Sequence, residues 1–173
     1  MRRRHPLPRI WLMTDERLGD ALWTAIEGLP RGSGVVLRHY SLPFAERRAL
    51  FARVAKRARR RGLVLVVAGK EQLGRADGTH NRPRRGNGLV TWSVHSRRDL
   101  TEARRQHADL IFVSSVFATR SHPDARTLGV VRAGLLIHGS PIPAIALGGM
   151  SQTRFRRLQG LGVHGWAGID AFL

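Results

Sequence analysis

Short apolar runs recur along the chain every 20–25 residues or so, very roughly, with longer polar stretches between them. They are Arg9–Met13 (RIWLM), Val35–His39 (VVLRH), Leu63–Ala68 (LVLVVA), Leu89–Val94 (LVTWSV), Asp109–Val113 (DLIFV), Ile142–Leu147 (IPAIAL) and Gly165–Ile169 (GWAGI). A weaker run, Ala76–His80 (ADGTH), would complete eight. Continuous apolar runs of this length fit strands buried on both faces. Helical spacing lies between several of them. In Phe44–Arg61, Leu50, Val54 and Ala58 share a face beside Phe51 and Ala55, and Gly62 supplies a stop. Ser96-Arg97-Arg98-Asp99 has the spacing of a capping box, opening a helix with Leu100, Ala103 and His107 on one side. Leu128–His138 is a further helix candidate. Ser151 can cap Gln152–Leu161, with Phe155, Leu158 and Leu161 inward.

Alternation of strand and helix means parallel pairing through right-handed crossovers. Eight strands favour a closed (β/α)8 barrel, although the count alone leaves an open doubly wound sheet in play. Some crossovers look stripped. Few residues join Ala68 to the weak fourth strand, and the stretch 81–88, Asn-Arg-Pro-Arg-Arg-Gly-Asn-Gly, suits no helix. The chain stops at Leu173, just after the last strand. The expected architecture is therefore an α/β TIM barrel, shortened, with missing or reduced helices after strands 3, 4 and 8. Residues 1–7 form a basic tail and 8–173 a single domain. A partner subunit, as in a homodimer, could cover the bare strands.

Composition narrows this picture. The chain has 173 residues, 42% of them hydrophobic, and 19 glycines, which is globular but short for a barrel that typically needs about 250 residues. The absence of cysteine excludes disulfides, thiolate metal sites and cysteine nucleophiles. No apolar run has the roughly 18–20 residues of a membrane span, and Pro6, Pro8 and Arg9 interrupt any leader after Arg2–Arg4, so the expected location is cytoplasmic. The net charge of +18 invites a nucleic-acid reading. Of the 30 basic residues only Lys56 and Lys70 are lysines, and the arginine runs are spread over polar helix faces. No zinc-finger, helix-turn-helix or RNA-recognition signature accompanies them. A solvated basic surface is the better reading.

In a barrel of this kind, reactive groups sit in the loops after the strands. Those loops carry Thr14-Asp15, Arg38-His39-Tyr40, Gly69-Lys70, His80-Asn81, His95-Ser96, Ser114–Pro123, Gly148-Gly149 and Asp170. Ser114–Pro123 concentrates hydroxyls, Arg120 and His122, all suited to phosphate oxygens. Gly148-Gly149 before a Ser-capped helix allows close approach of main chain to a phosphate. Each could equally be an ordinary turn. The histidines show no metal-ligand spacing, and no P-loop is present. His107 reads as a helix-face residue, and His5 and His164 as surface or structural ones.

Several segments resemble one family. Leu7–Asp15 is similar to the opening strand of the thiamine phosphate synthase / TenI family, and Trp92–Ser96 to its fifth. Phe112–Gly129 resembles its G-P-V-F-x-T-x-S-H-P segment through Val116-Phe117, Thr119, Ser121-His122-Pro123, Ala125 and Leu128-Gly129. Pro143–Met150 and Gly165–Phe172 resemble its last two strands. The resemblance implies a transferase that joins a hydroxymethylpyrimidine diphosphate to a thiazole phosphate, with Mg2+, giving thiamine phosphate and pyrophosphate. It implies that pyrophosphate leaves first and that the thiazole nitrogen captures the pyrimidine cation. It further implies roles in pyrophosphate binding for Arg38, Ser93, Thr119, Ser121 and His122, with Arg38 and His122 closest to catalysis. Gly148 and Gly149 match the turn that receives the thiazole phosphate.

The departures are specific. Val36, His39 and Tyr40 replace the family's Gln, Glu and Lys around Arg38. Ala68-Gly69-Lys70 stands in place of its Asn-Asp-Asp metal motif, and the loop after His80 lacks its acidic residue. No metal ligand is therefore assigned, since Mg2+ needs oxygen donors. Lys70 or the Arg82–Arg85 loop would meet pyrophosphate directly. Asp170 replaces a Ser beside the thiazole phosphate. Two alternatives stand beside the synthase reading: a TenI-like tautomerase-type or degenerate phosphate-binding barrel, whose acid–base position is Ser115 here, and a basic module for nucleic acid.

Overall fold

A computed structural model of the chain describes residues 6–84, 86–119 and 127–173. The basic run Arg2–Arg4, His5, Arg85 and the stretch 120–126 lie outside the described residues. Eight parallel strands close into one barrel in sequence order. They are β1 (Ile10–Met13), β2 (Gly34–Leu37), β3 (Val64–Ala68), β4 (Gly78–His80), β5 (Leu89–Val94), β6 (Leu110–Val113), β7 (Ala144–Ala146) and β8 (Gly165–Gly168). The helices are α1 (Ala21–Gly28), α2 (Phe44–Arg61), α3 (Arg97–Arg105), α4 (Gly129–Ile137) and α5 (Gln152–Arg156). The expected shortened (β/α)8 barrel is the observed fold. No helix lies between β3 and β4, between β4 and β5, or after β8 among the described residues.

Alternation along the strands divides the side chains between the barrel interior and its outer layer. Trp11, Met13, Val36, Val66, Leu110 and Phe112 belong to the interior cluster. Trp11 and Phe112 meet edge to face at 5.3 Å. The indole N–H of Trp11 donates to the Pro8 carbonyl at 2.9 Å. Gly34 makes room for this ring: a Cβ there would lie 2.1 Å from Trp11. Outside, α1 and α2 pack on β1–β3, and α3, α4 and α5 pack on β5–β8.

The long helix α2 ends where Gly62 enters the left-handed region at φ 64° and donates to the Ala58 and Arg59 carbonyls. Ser96 caps α3 by accepting from the Asp99 N–H, and the Asp99 carboxylate accepts from the His95 N–H at 2.9 Å, one residue before the cap. The side without helices is closed in part by the chain itself. Leu73, in the β3–β4 loop, is buried in the same cluster as Phe51 of α2. Arg84 straps the β4–β5 loop to the Gly88 and His107 carbonyls and to Asp109. After β8, Phe172 stacks on Trp166 at 5.2 Å.

Some local expectations need correction. Helix α1, which is not among the expected helices, carries a buried stripe of Leu22, Ala25 and Ile26. Helix α5 stops at Arg156 and is followed by a 3-10 turn over Gln159–Leu161, so Leu161 is exposed rather than inward. His107 lies past the end of α3 at φ 51° and not on its face. His164 is structural, its Nε2 3.2 Å from the Leu7 carbonyl. Among the described residues no helix is long and apolar enough to cross a membrane.

Candidate functional site

A cavity of about 920 Å3 opens at the C-terminal ends of the strands. Arg38, Ser93, Thr119, Gly148 and Gly149 all line it. The sequence places these five residues after β2, in β5, after β6 and after β7, so closure of the barrel brings them together. Lys70 is exposed and stands outside the lining. Ser121 and His122 lie outside the described residues.

Arg38 is held from both sides. Its Nε donates to the Thr14 carbonyl at 2.7 Å and its Nη2 to Asp15 Oδ2 at 2.6 Å. Asp15 also receives Arg17 Nε at 2.8 Å. Burial works against ionisation of Asp15, but the hydrogen bonds from Arg17 and the charges of Arg38 and Arg17 prevail and hold its carboxyl below the usual range. Next along the chain, His39 is buried, with Nδ1 2.9 Å from the Thr14 hydroxyl. Burial, together with the charges of Arg38 and Arg47, pushes its imidazole below its ordinary value against the pull of Glu16 and Asp15.

On the cavity floor, His80 bridges β4 and β5. Its Nδ1 lies 2.9 Å from Thr91 Oγ1 and its Nε2 3.0 Å from Ser93 Oγ. The Thr91 hydroxyl donates to the Thr79 carbonyl. It therefore accepts from Nδ1–H, which leaves Nε2 to accept from Ser93. Asn81 completes the network: its Nδ2 donates to Ser93 Oγ at 3.3 Å, and its Oδ1 accepts the Ser93 N–H at 2.7 Å. Desolvation, with a contribution from the Arg38 charge, pushes the His80 imidazolium down to about 3, so the ring is neutral. His95, also on the lining, commits Nδ1–H to the Ser114 carbonyl at 2.9 Å.

The wall after β7 is main chain. Gly148 adopts φ 95° and Gly149 φ 58°, and a Cβ on Gly149 would fall 2.3 Å from the Ala118 carbonyl. Helix α5 is only five residues long, so this wall owes its character to the glycine turn and not to a helix terminus. Arg154 leans over it, donating to the Gly149 carbonyl and covering the Phe117 ring at 5.1 Å. Asp170 lines the same cavity, and its charge, after the larger influence of Asp15, helps to raise the Arg17 value.

Sequence reasoning missed Arg47. It is 2% exposed, although it belongs to a helix rich in exposed arginines. Its guanidinium donates to the Arg38 carbonyl at 3.1 and 2.7 Å, to the Ala68 carbonyl at 2.5 Å and to Glu71 at 2.8 Å. A signal was present, because Arg47 falls four residues before Phe51 and seven before Val54, on the apolar stripe of α2. Arg82 acts similarly: its Nη1 donates to the Gly69 carbonyl at 2.9 Å and to that of Glu71 at 3.4 Å.

These contacts decide how Mg2+ would fit. No group of three His, Asp or Glu side chains that could hold a metal exists among the described residues. At the ends of β3 and β4, the positions that the resemblance links to metal carboxylates hold Ala68, Gly69, Lys70, Asn81 and Arg82. The carbonyls of Ala68 and Gly69 already accept from guanidinium groups. The residues present do not fit a hard divalent cation.

A closed barrel with polar groups gathered at the strand C-termini defines an enzyme architecture in which loops carry the chemistry. The family model described as thiamine monophosphate synthase matches residues 11–172, and the chain belongs to that family of thiamine-biosynthesis transferases. It is 28% identical to a putative thiamine-phosphate synthase 2 of Aquifex aeolicus, over 96% of this chain and 98% of that one. It is 24% identical to a thiamine-phosphate synthase of Pyrococcus horikoshii, over 95% and 86%. A solved thiamine phosphate pyrophosphorylase from Pyrococcus furiosus superposes with a TM-score of 0.80 at 25% identity, covering 95% of this chain and 86% of that one.

Proposed function

We propose that this chain joins a hydroxymethylpyrimidine diphosphate to a thiazole phosphate, releasing pyrophosphate and forming thiamine phosphate. One observation carries the reading. Arg38, Ser93, Thr119, Gly148 and Gly149, drawn from four separate strand ends, line a single cavity. Its size suits two small substrates bound side by side.

Each group has a task. Arg38, locked by Asp15 and the Thr14 carbonyl, presents its remaining guanidinium edge to the diphosphate. Thr119 adds a hydroxyl contact, and the Ser93 hydroxyl, held by His80 and Asn81, adds another by turning its O–H from His80 Nε2 to a phosphate oxygen. The family resemblance assigns Ser121 and His122, outside the described residues, to the same diphosphate. The bond from the pyrimidine methylene to the diphosphate breaks with its electron pair leaving on oxygen, and the thiazole nitrogen supplies the pair for the new bond. Fixed dipoles and charges stabilise such a step because they need no reorganisation as charge develops. A neutral His80 places no positive charge beneath the transient pyrimidine cation. The glycine turn admits the thiazole phosphate against main chain, and Arg154 beside it supplies a cation, while Asp170 interacts with Arg17.

The test is rescue of a thiamine-requiring strain. The wild-type chain should restore growth and Arg38→Ala should not. Failure of both, or rescue by both, would contradict this assignment.

A further inference from the structure

We propose that this chain binds the substrate diphosphate without a protein-bound divalent cation, with guanidinium groups on the β2–β4 rim supplying the positive charge. The inference rests on the synthase reading for the identity of that diphosphate.

The rim offers a divalent ion little to hold. The carboxylate that follows β3, Glu71, is paired with Arg47, and the main-chain oxygens of Arg38, Ala68 and Gly69 are engaged by Arg47 and Arg82. Two fixed guanidinium charges at those oxygens also repel a second cation. The same arrangement favours an anion. On this rim Arg17, Arg38, Arg47, Lys70 and Arg82 stand with Asp15, Glu16 and Glu71. With Asp170, whose charge acts on Arg17, counted as well, the excess is one positive charge.

The excess is organised. Asp15 is shared by Arg17 and Arg38, so it fixes two cations with one carboxylate. Arg47 spends its donors on two strand-end carbonyls and on Glu71, which is 42% exposed and screened by water. Arg38 is the direct ligand, and a guanidinium fork matches two phosphate oxygens. Arg47 and Arg82 are positioning residues. They hold the Arg38 main chain and the β3–β4 loop, and they add to the field that a cleft concentrates.

Calorimetry of inorganic pyrophosphate binding to the full chain, in EDTA and in Mg2+, tests this. Pyrophosphate should bind in EDTA, with affinity changing by less than about threefold when Mg2+ is added. Arg82→Gln should weaken binding roughly fivefold, and Arg82→Lys, which keeps the charge, should stay within about twofold of wild type. Arg60→Gln, on the outer face of α2 and paired with Glu27, should change nothing. An equal loss in Arg60→Gln and Arg82→Gln would overturn the inference, because general surface charge would then explain binding. Thermal melts confirm that each variant is folded. Thiamine phosphate formation, followed in parallel, separates the two claims. Product in Mg2+, with neither product nor pyrophosphate binding in EDTA, overturns the inference and leaves the synthase reading standing. Pyrophosphate binding in EDTA without product under either condition overturns the reading and leaves the inference standing.

Discussion

On the β6–β8 side, the cavity wall is made of glycine, hydroxyl groups and main chain, backed by three helices and a continuous apolar cluster. On the β2–β4 side Arg38, Tyr40, His80 and Asn81 line it, Arg47 and Arg82 hold the strand-end carbonyls, and among the described residues no helix follows β3 or β4. The first wall is built on the glycine turn, and the second on strand ends held by side-chain donors. With the third and fourth crossovers reduced to loops, the strand-end carbonyls there need donors from elsewhere. Arg47 reaches them from α2 and Arg82 from the β4–β5 loop.

The contrast can be broken at several points. Arg47→Met removes a buried cation together with four donated bonds to the Arg38 and Ala68 carbonyls and Glu71. Because Glu71 is partly exposed, the expected loss is about 3 kcal/mol, at the low end for a broken buried pair. Urea unfolding measures it, and a change under about 1 kcal/mol would show that the β3–β4 loop does not depend on this strap. Gly149→Ala probes the opposite wall. Its Cβ would meet the Ala118 carbonyl in a left-handed backbone. A destabilisation of about 2 kcal/mol is expected, with loss of activity exceeding that of any other alanine placed in the turn.

A smaller effect belongs to His80, between the two walls. Its value falls from 6.5 in the unfolded chain to about 3 in the folded one. Between these limits the unfolded chain binds the proton and the folded chain does not. The contribution is therefore complete above pH 6.5 and is lost as pH falls, at about 1 kcal/mol per pH unit. Asp15, Glu16 and Asp99 also have lowered values, so they contribute above their unfolded values of 3.8 and 4.5 and lose that only in more acid solution. A decline between pH 6.5 and 5 thus isolates the histidines. His80→Gln should remove most of it, with His39 supplying the remainder, and a flat wild-type profile would contradict neutral burial of the ring. The smallest effect is Arg154→Ala, which should weaken binding of a phosphate monoester by a few-fold, about 1 kcal/mol, without changing stability.

Much of the fold was legible in the sequence. Seven of the eight runs contain one strand, Val35–His39 overlaps β2 but starts one residue late, and Phe44–Arg61 matches α2 to the residue. Strands buried on both faces leave a continuous apolar signal, and capped helices carry polar punctuation. Helix α1 follows Asp20 but spans only eight residues, too few for a long periodic stripe. The site was legible wherever its chemistry is local, as at Gly148-Gly149 or Arg38. It was not legible where function depends on which partner a side chain finds. Among so many arginines, nothing local distinguished Arg47, and only its place on an apolar stripe separated it from its solvated neighbours. Asp15 read as a loop residue until closure of the barrel set β1 beside β2 and brought it to Arg38. Arg82 looked available to substrate, whereas the fold commits it to the β3–β4 loop.

The most direct test of the account is thiamine phosphate formation by the purified chain from both phosphorylated substrates, with Arg38→Ala beside it. The account predicts thiamine phosphate and pyrophosphate in equal amounts from the wild type, reduced at least about a hundredfold in the variant. No product from the wild type, or an undiminished rate in Arg38→Ala, would contradict it.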